Sequence, residues 1–140
     1  MEATIENGAV IEANYPSLVR RVQSIFIDTM VIIIVMLSAS TILSNIQSTP
    51  DWIRIALFVF LFFIYEPVFM AFSAGTIGNR LMGIQVKQIA DEHKGPTLLQ
   101  SYIRFMFKFF LGWLSFVTMH FNVQRRAIHD LMGKTVMLQK

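Results

Sequence analysis

Asp28 stands seven residues after Arg21, at the head of a dense apolar run from Val31 to Leu37, so the two charges share one face of a helix entering lipid. An ionised carboxylate in hydrocarbon costs at least about 2.5 kcal/mol on insertion scales, and a chain that keeps one must supply a partner or a wet cavity. Glu66, beside Pro67 near the end of a second apolar block, is the other acid set among apolar neighbours. Proline leaves a backbone carbonyl without its amide, and an acid next to a free carbonyl is a ligand set for a monovalent cation. Further on, Arg80 follows that block, and Arg125, Arg126, His129 and Asp130 add cations, a side chain that titrates near neutrality and a third acid. The chemistry open to this set is ion pairing, cation coordination and proton exchange. An arginine between two carboxylates offers its fork to both and holds Asp28 and Asp130 ionised, whereas the less well paired Glu66 suits proton exchange. Each of these residues also has a plain structural reading, as a salt bridge or as a side chain reaching for headgroups.

Other chemistries find little support. With no cysteine in 140 residues, disulfides, iron-sulfur clusters and thiol catalysis are excluded. His93 and His120 lack companions at ligand spacing, so no metal and no cofactor is expected. The stretch from Gly75 to Gly83 lacks the Gly-Lys-Ser ending of a phosphate loop. No Ser, His, Asp triad or paired-acid spacing points to an enzyme. A net charge of +3 is small, and the basic residues flank apolar blocks as topology signals do, so no nucleic-acid partner is expected.

The elements that must position the charged set are membrane helices. The chain is 54% hydrophobic and only 15% charged, and its apolar blocks of about 20 residues match the roughly 30 Å hydrocarbon thickness. Span one is expected over residues 25–46 and span two over 53–72, joined by a short turn in which Pro50 turns the chain, Asp51 caps and Trp52 anchors at the interface. Ile84 and Val86 alternating with Gln85 and Lys87 predict a strand, and Val136 and Leu138 among Thr135, Met137 and Gln139 predict a second that can pair with it. Thr97 with Gln100 predicts a capping box ahead of the third block, residues 98–121. Residues 1–14 are expected to be a mobile segment without a signal-peptide pattern, leaving 15–140 as one membrane domain.

The third block decides the topology. It carries Arg104 and Lys108 on one face and Gly112 near its middle. Arg20, Arg21, Arg80, Lys87 and Lys94 place the N-terminus and the middle loop in the cytoplasm by the positive-inside rule. Full crossing by block three would put Arg125, Arg126, Lys134 and Lys140 outside, against that rule. A segment that lies along the interface or returns at Gly112 keeps them inside and lets the strands meet, and this arrangement is favoured. The fold class is therefore an all-α membrane protein, a transmembrane helical hairpin plus a third interfacial, re-entrant or spanning segment, with two short cytoplasmic strands.

Three ordered motifs stand together: Arg20 and Arg21 leading to Asp28; Gly75 to Gly83, reading Gly-Thr-Ile-Gly-Asn-Arg-Leu-Met-Gly; and Arg125 to Asp130, followed by Gly133 to Val136. They resemble the RDD family of small bacterial multi-pass membrane proteins, named for one arginine and two aspartates, here Arg21, Asp28 and Asp130. Asn79 departs from the pattern, since the family's glycine-rich motif commonly has lysine there. The resemblance implies a bacterial inner-membrane protein of the transporter kind, some members of which exchange monovalent cations for protons. The expected function is a small secondary transporter or ion-conducting module for a monovalent cation or small solute, with Arg21, Asp28, Glu66, Arg80, His129 and Asp130 as its ion, proton or ion-pair network. Two certain spans cannot enclose a path, so a homo-oligomer or a membrane partner subunit is required beside the bilayer itself. The alternative is a non-transporting scaffold, assembly factor or lipid-binding anchor.

Overall fold

A computed structural model of the chain describes residues 3–6, 9–12, 14–46 and 48–140. Within the N-terminal segment expected to be mobile, β1 (Ala3–Glu6) and β2 (Ala9–Glu12) pair as an antiparallel hairpin, while positions 1, 2, 7, 8 and 13 lie outside the described residues. The first membrane helix, α1 (Leu18–Ser44), begins seven residues earlier than the apolar run suggests. Ser17 caps it, accepting from Arg20 N, so Arg20 and Arg21 belong to its first turns rather than to a preceding loop. The second helix, α2 (Asp51–Ser73), takes Asp51 as its first residue and has Pro50 at the cap position without a side-chain hydrogen bond. An acid there still favours the positive helix end. At the rise of a helix, 27 and 23 residues extend about 40 and 35 Å, enough to cross hydrocarbon.

Beyond α2 the chain turns through left-handed Ala74 into the single-turn α3 (Ile77–Leu81), capped by Thr76, and then into β3 (Ile84–Gln88). Next comes α4 (Leu98–Leu111), which opens with the full Thr97–Gln100 capping box. Phe105 and Phe109 of α4 pack edge-on or tilted against Phe62 and Phe63 of α2, with ring centroids 5.5 to 6.0 Å apart, and so tie the two helices antiparallel. By length and composition the helical stretch Leu98–His120 counts with α1 and α2 as a third apolar enough to cross a membrane. It is not one rod. Gly112, at φ 52° and ψ −130°, ends α4 in a conformation that side chains resist, and residues 112–120 continue as a 3₁₀ segment.

That segment doubles back. In an unbroken helix Ser115 would lie about 16 Å beyond Arg104, yet Ser115 holds His129 at 2.5 Å while Arg104 grips the adjacent Asp130. His129 and Asp130 belong to the short α5 (Ile128–Met132), after which β4 (Thr135–Gln139) returns to β3 in antiparallel register, Val86 opposite Met137. Met137, rather than Leu138, joins Met70, Ile84 and Val86 in the small apolar core. Gln139 N also donates to Asn14 O at 2.7 Å, and Val86 N to Ala74 O at 2.7 Å. The start of α1, the end of α2, the start of α4 and both strands therefore share one end of the bundle, and the third block folds back after Gly112 instead of running on as a straight rod.

Because the chain has no native cysteine, single cysteines report its sidedness directly. In sealed vesicles, Lys140→Cys and Arg80→Cys are expected to react with an impermeant thiol reagent from the same side, and Ser48→Cys, in the turn between α1 and α2, from the other. Labelling of positions 140 and 48 from one side would contradict the returning segment.

Candidate functional site

The α1 helix carries Arg21, Ser24 and Asp28 inward at successive turns. Arg21 was expected to offer its guanidinium to both Asp28, seven residues on, and Asp130. Only the second pairing forms: Arg21 Nη1 donates to Asp130 Oδ2 at 2.5 Å, and Nη2 goes to the carbonyl of Arg125 at 2.6 Å. On the opposite side Arg104 Nη1 grips Asp130 Oδ1 and also donates to Thr135 Oγ1 at 2.5 Å. Asp130 further accepts from the backbone N–H of Ala127 at 3.1 Å, an N-terminal bond of α5. The three charged side chains are 2%, 2% and 0% exposed, so this is a fully buried arginine–aspartate–arginine clamp joining α1, α4 and α5. Burial alone would push the Asp130 carboxyl up, but Arg104 and Arg21 hold it far below the usual carboxylate range.

His129 sits against this clamp. Its Nδ1 lies 2.5 Å from Ser115 Oγ, which also accepts from His129 N at 3.1 Å, and its Nε2 lies 3.5 Å from Asp130 Oδ1. Burial pushes the imidazole down to about 3, with Arg104 and Lys108 acting in the same direction against Asp130. His129 is thus neutral, and a serine hydroxyl donating to Nδ1 leaves the hydrogen on Nε2, toward Asp130. Ser115, His129 and Asp130 do lie in a line that sequence spacing gives no sign of, the first two hydrogen-bonded and the imidazole Nε2 3.5 Å from the carboxylate. Ser115 and His129 are 0% and 2% exposed, and Asp130 is already bound by two guanidiniums, so the line is a sealed structural chain rather than a nucleophile open to substrate.

Asp28 is held differently. Its carboxylate accepts from Tyr65 OH at 2.8 Å, Thr76 Oγ1 at 2.5 Å and Gly78 N at 2.8 Å. All three donors are neutral, and Asp28 has no ion pair among the described residues. Gly78 is required for this approach, because a Cβ there would overlap the carbonyl of Ser24 and lie 2.9 Å from the Asp28 carboxyl carbon. Glu66, expected to be poorly paired, is bound by Lys108 of α4, with Nζ 2.8 and 2.9 Å from its two oxygens. Arg80 is exposed and stands outside the cluster.

Two cavities connect these groups. One of about 200 Å³ lies between α1, α2 and α4, with Asp28, Thr29, Tyr65, Glu66 and Lys108 among its walls and isoleucine and phenylalanine side chains for the rest. The other, about 20 Å³ and so of single-water size, touches Arg21, Ser24, Asp28, Asn79, Arg104, Lys108 and His129. Arg21 Nε and Arg104 Nε have no acceptor among the described residues. Among those residues no three of His, Cys, Asp or Glu gather as a metal site. Asp28 is the one acid that lines both cavities.

The functional side chains that sequence reading missed are Arg104, Lys108, Tyr65 and Thr76. A signal for the first two was present: two cations four residues apart in an apolar block each demand a buried acid.

Removing one member of the clamp strands a buried charge, a loss of about 3–5 kcal/mol in such pairs. Asp130→Asn and Arg104→Gln are therefore expected to lower the unfolding midpoint of the detergent-solubilised protein sharply, and Arg80→Gln to leave it unchanged. Stability should also fall on acidification. Below about pH 6.5 the unfolded chain protonates His129 while the folded one resists until about 3, and below about pH 3.9 the same holds for Asp130, at up to about 1.4 kcal/mol per pH unit for each group. Unfolding midpoints measured from pH 7 to 4 should decline in wild type and flatten in His129→Gln; equal slopes in the two proteins would show that His129 is not the group responsible.

Comparisons of the chain with curated proteins and with solved structures find no match. The family model of the RDD family matches residues 15–134, from the turn ahead of α1 through the clamp to the threshold of β4. With that match spanning Arg21, Asp28 and Asp130 together, the chain belongs to the RDD family.

Proposed function

We propose that the chain is a small secondary transporter or ion-conducting membrane module that moves a monovalent cation, coupled to protons, with Asp28 as the ion or proton site. One observation carries this reading: Asp28 is a carboxylate on a membrane helix, held only by neutral donors, facing a cavity of about 200 Å³ between three helices. Oxygen atoms of Asp28, Thr29, Tyr65 and Glu66 on that cavity are the hard ligands a sodium or potassium ion takes. Glu66 with Lys108 adds a second charged pair that a passing cation can perturb. The clamp around Asp130 has a different part in this scheme. It fixes α1 against α4 and α5, and Asp130 and His129 do not exchange ions.

A bundle of two spans and a re-entrant segment does not enclose a path on its own, so the working unit is a homo-oligomer or a complex with a partner subunit in the bilayer. The charge distribution supports a cytoplasmic placement of the shared end: of the 12 Lys and Arg residues, Arg54 alone flanks the opposite turn, while Arg104 and Lys108 lie inside. The inner membrane of a bacterium is the setting that fits. A non-transporting scaffold or lipid-binding anchor has one feature in its favour, the sealed clamp, which needs no transport to justify it.

Purified protein in liposomes carrying an internal pH dye separates the two. After a sodium or potassium jump, wild type is expected to move protons and Asp28→Asn to lose at least about tenfold of the rate, the loss expected when a group supplying 1.4 kcal/mol is removed. Arg80→Gln should retain the rate. Absence of flux in wild type would favour the scaffold, and full flux in Asp28→Asn would remove Asp28 from the ion path.

A further inference from the structure

We propose that a groove at the shared end of the bundle, walled by Leu18, Met119, His120, Asn122, Val123 and Arg125, binds the headgroup of an anionic phospholipid. Its volume of about 380 Å³ is that of a ligand pocket. Leu18 is the first residue of α1, so the groove lies where a span meets water, at headgroup depth. Its walls are divided by chemistry. Arg125, His120 and Asn122 supply donors and positive charge, and Leu18, Met119 and Val123 supply apolar surface. No carboxylate is among the described residues of the wall. Beside the groove Phe121 is 88% exposed and Val123 62%, an arrangement costly in water and natural against acyl chains.

The loop that presents these groups is fixed by the buried clamp. Asn122 Oδ1 accepts from Gln124 N at 2.9 Å, which leaves its amide NH₂ to donate outward. Arg125 N closes the turn onto Asn122 O at 3.0 Å. Arg125 itself is held at φ 47°, a left-handed conformation that a residue with a Cβ adopts at a cost. Its carbonyl is captured by Arg21 Nη2 at 2.6 Å, and the next carbonyl, of Arg126, accepts from Thr118 Oγ1 at 3.0 Å. The backbone is thus bound from beneath while the Arg125 guanidinium stays exposed, without an ion pair among the described residues. A guanidinium offered this way needs little reorganisation to fork onto a phosphodiester. Free phosphate would meet the polar wall alone, so the apolar wall selects the lipid.

Neither Asp28 nor its cavity enters this site, so lipid binding and ion transport stand or fall separately. Native mass spectrometry of wild type released from bilayers of phosphatidylglycerol and phosphatidylcholine in equal amounts should show retained phosphatidylglycerol. Arg125→Gln combined with His120→Gln should cut that retention at least about tenfold, as loss of charge-assisted hydrogen bonds does. Arg125→Lys should restore part of it. Arg80→Gln removes an exposed charge from the same end and should change nothing, and excess inorganic phosphate should not displace the lipid. Equal retention of the two lipids by wild type overturns the proposal without any variant. So do undiminished retention in a double variant with the wild-type unfolding midpoint, an equal loss in Arg80→Gln, or displacement by phosphate.

Discussion

The clamp of Arg21 and Arg104 on Asp130 is the contact on which the arrangement of the other elements depends. Sheet β3–β4 is two strands wide, and its apolar core is four side chains. Neither could hold three membrane helices together, because lipid removes the hydrophobic drive between helices. Asp130 supplies the missing join: α1 is bonded at one carboxylate oxygen, α4 at the other, and the α5 backbone at Ala127. The same grip brings Thr135, and with it the start of β4, against Arg104. A chain that broke at Gly112 and wandered would satisfy none of these groups. The need to neutralise two buried arginines is what makes the third block return.

The charges around the clamp tie Asp28 to it electrostatically. Two guanidiniums on one carboxylate leave an excess of one positive charge. Glu66 and Lys108 cancel. Asp28, bound by a tyrosine, a threonine and a backbone amide, is a carboxylate with no cation in contact among the described residues. The two excesses face a single water-sized cavity that both Arg21 and Asp28 line. The arginine and aspartate are therefore balanced across a polar gap instead of in contact, and at low dielectric such a separation is felt strongly. Occupancy of Asp28 by a cation or proton would leave the clamp with its uncompensated charge, which gives the two centres a reason to be coupled.

What the sequence made legible were features set by local pattern: two spans, the strand at Ile84 and Val86, the Thr97–Gln100 box, and Gly112 as a break in an otherwise apolar block. Each depends on neighbours within a few residues. The identity of the charge partners does not. Spacing on one helix put Arg21 with Asp28 as well as with Asp130, but only Asp130, 109 residues away, is bonded, and it is reached because the chain doubles back. Glu66 looked unpaired for the same reason, since Lys108 lies on a helix whose packing against α2 is decided by the phenylalanines between them. Arg104 was read as one side of an amphipathic face, a pattern that in water ends at the surface and in lipid ends in a buried acid. Arg80, grouped with the cluster by membrane depth alone, shows the converse error: equal depth does not mean a shared face.

Position 79 sharpens the reading of Asp28. The resemblance to the family puts a lysine there, and an ammonium at that position would share the small cavity with Asp28. This chain has asparagine, 4% exposed, whose Oδ1 accepts from Ser24 Oγ at 2.6 Å and whose backbone N–H binds the same Thr76 hydroxyl that donates to Asp28. The asparagine keeps the hydrogen-bonded geometry of the α1–α3 crossing and withholds the charge. A carboxylate positioned by neutral donors retains most of its field, whereas one in contact with an ammonium has spent it. In the transport scheme proposed above, an asparagine at position 79 is what would leave Asp28 open to a cation from outside the protein.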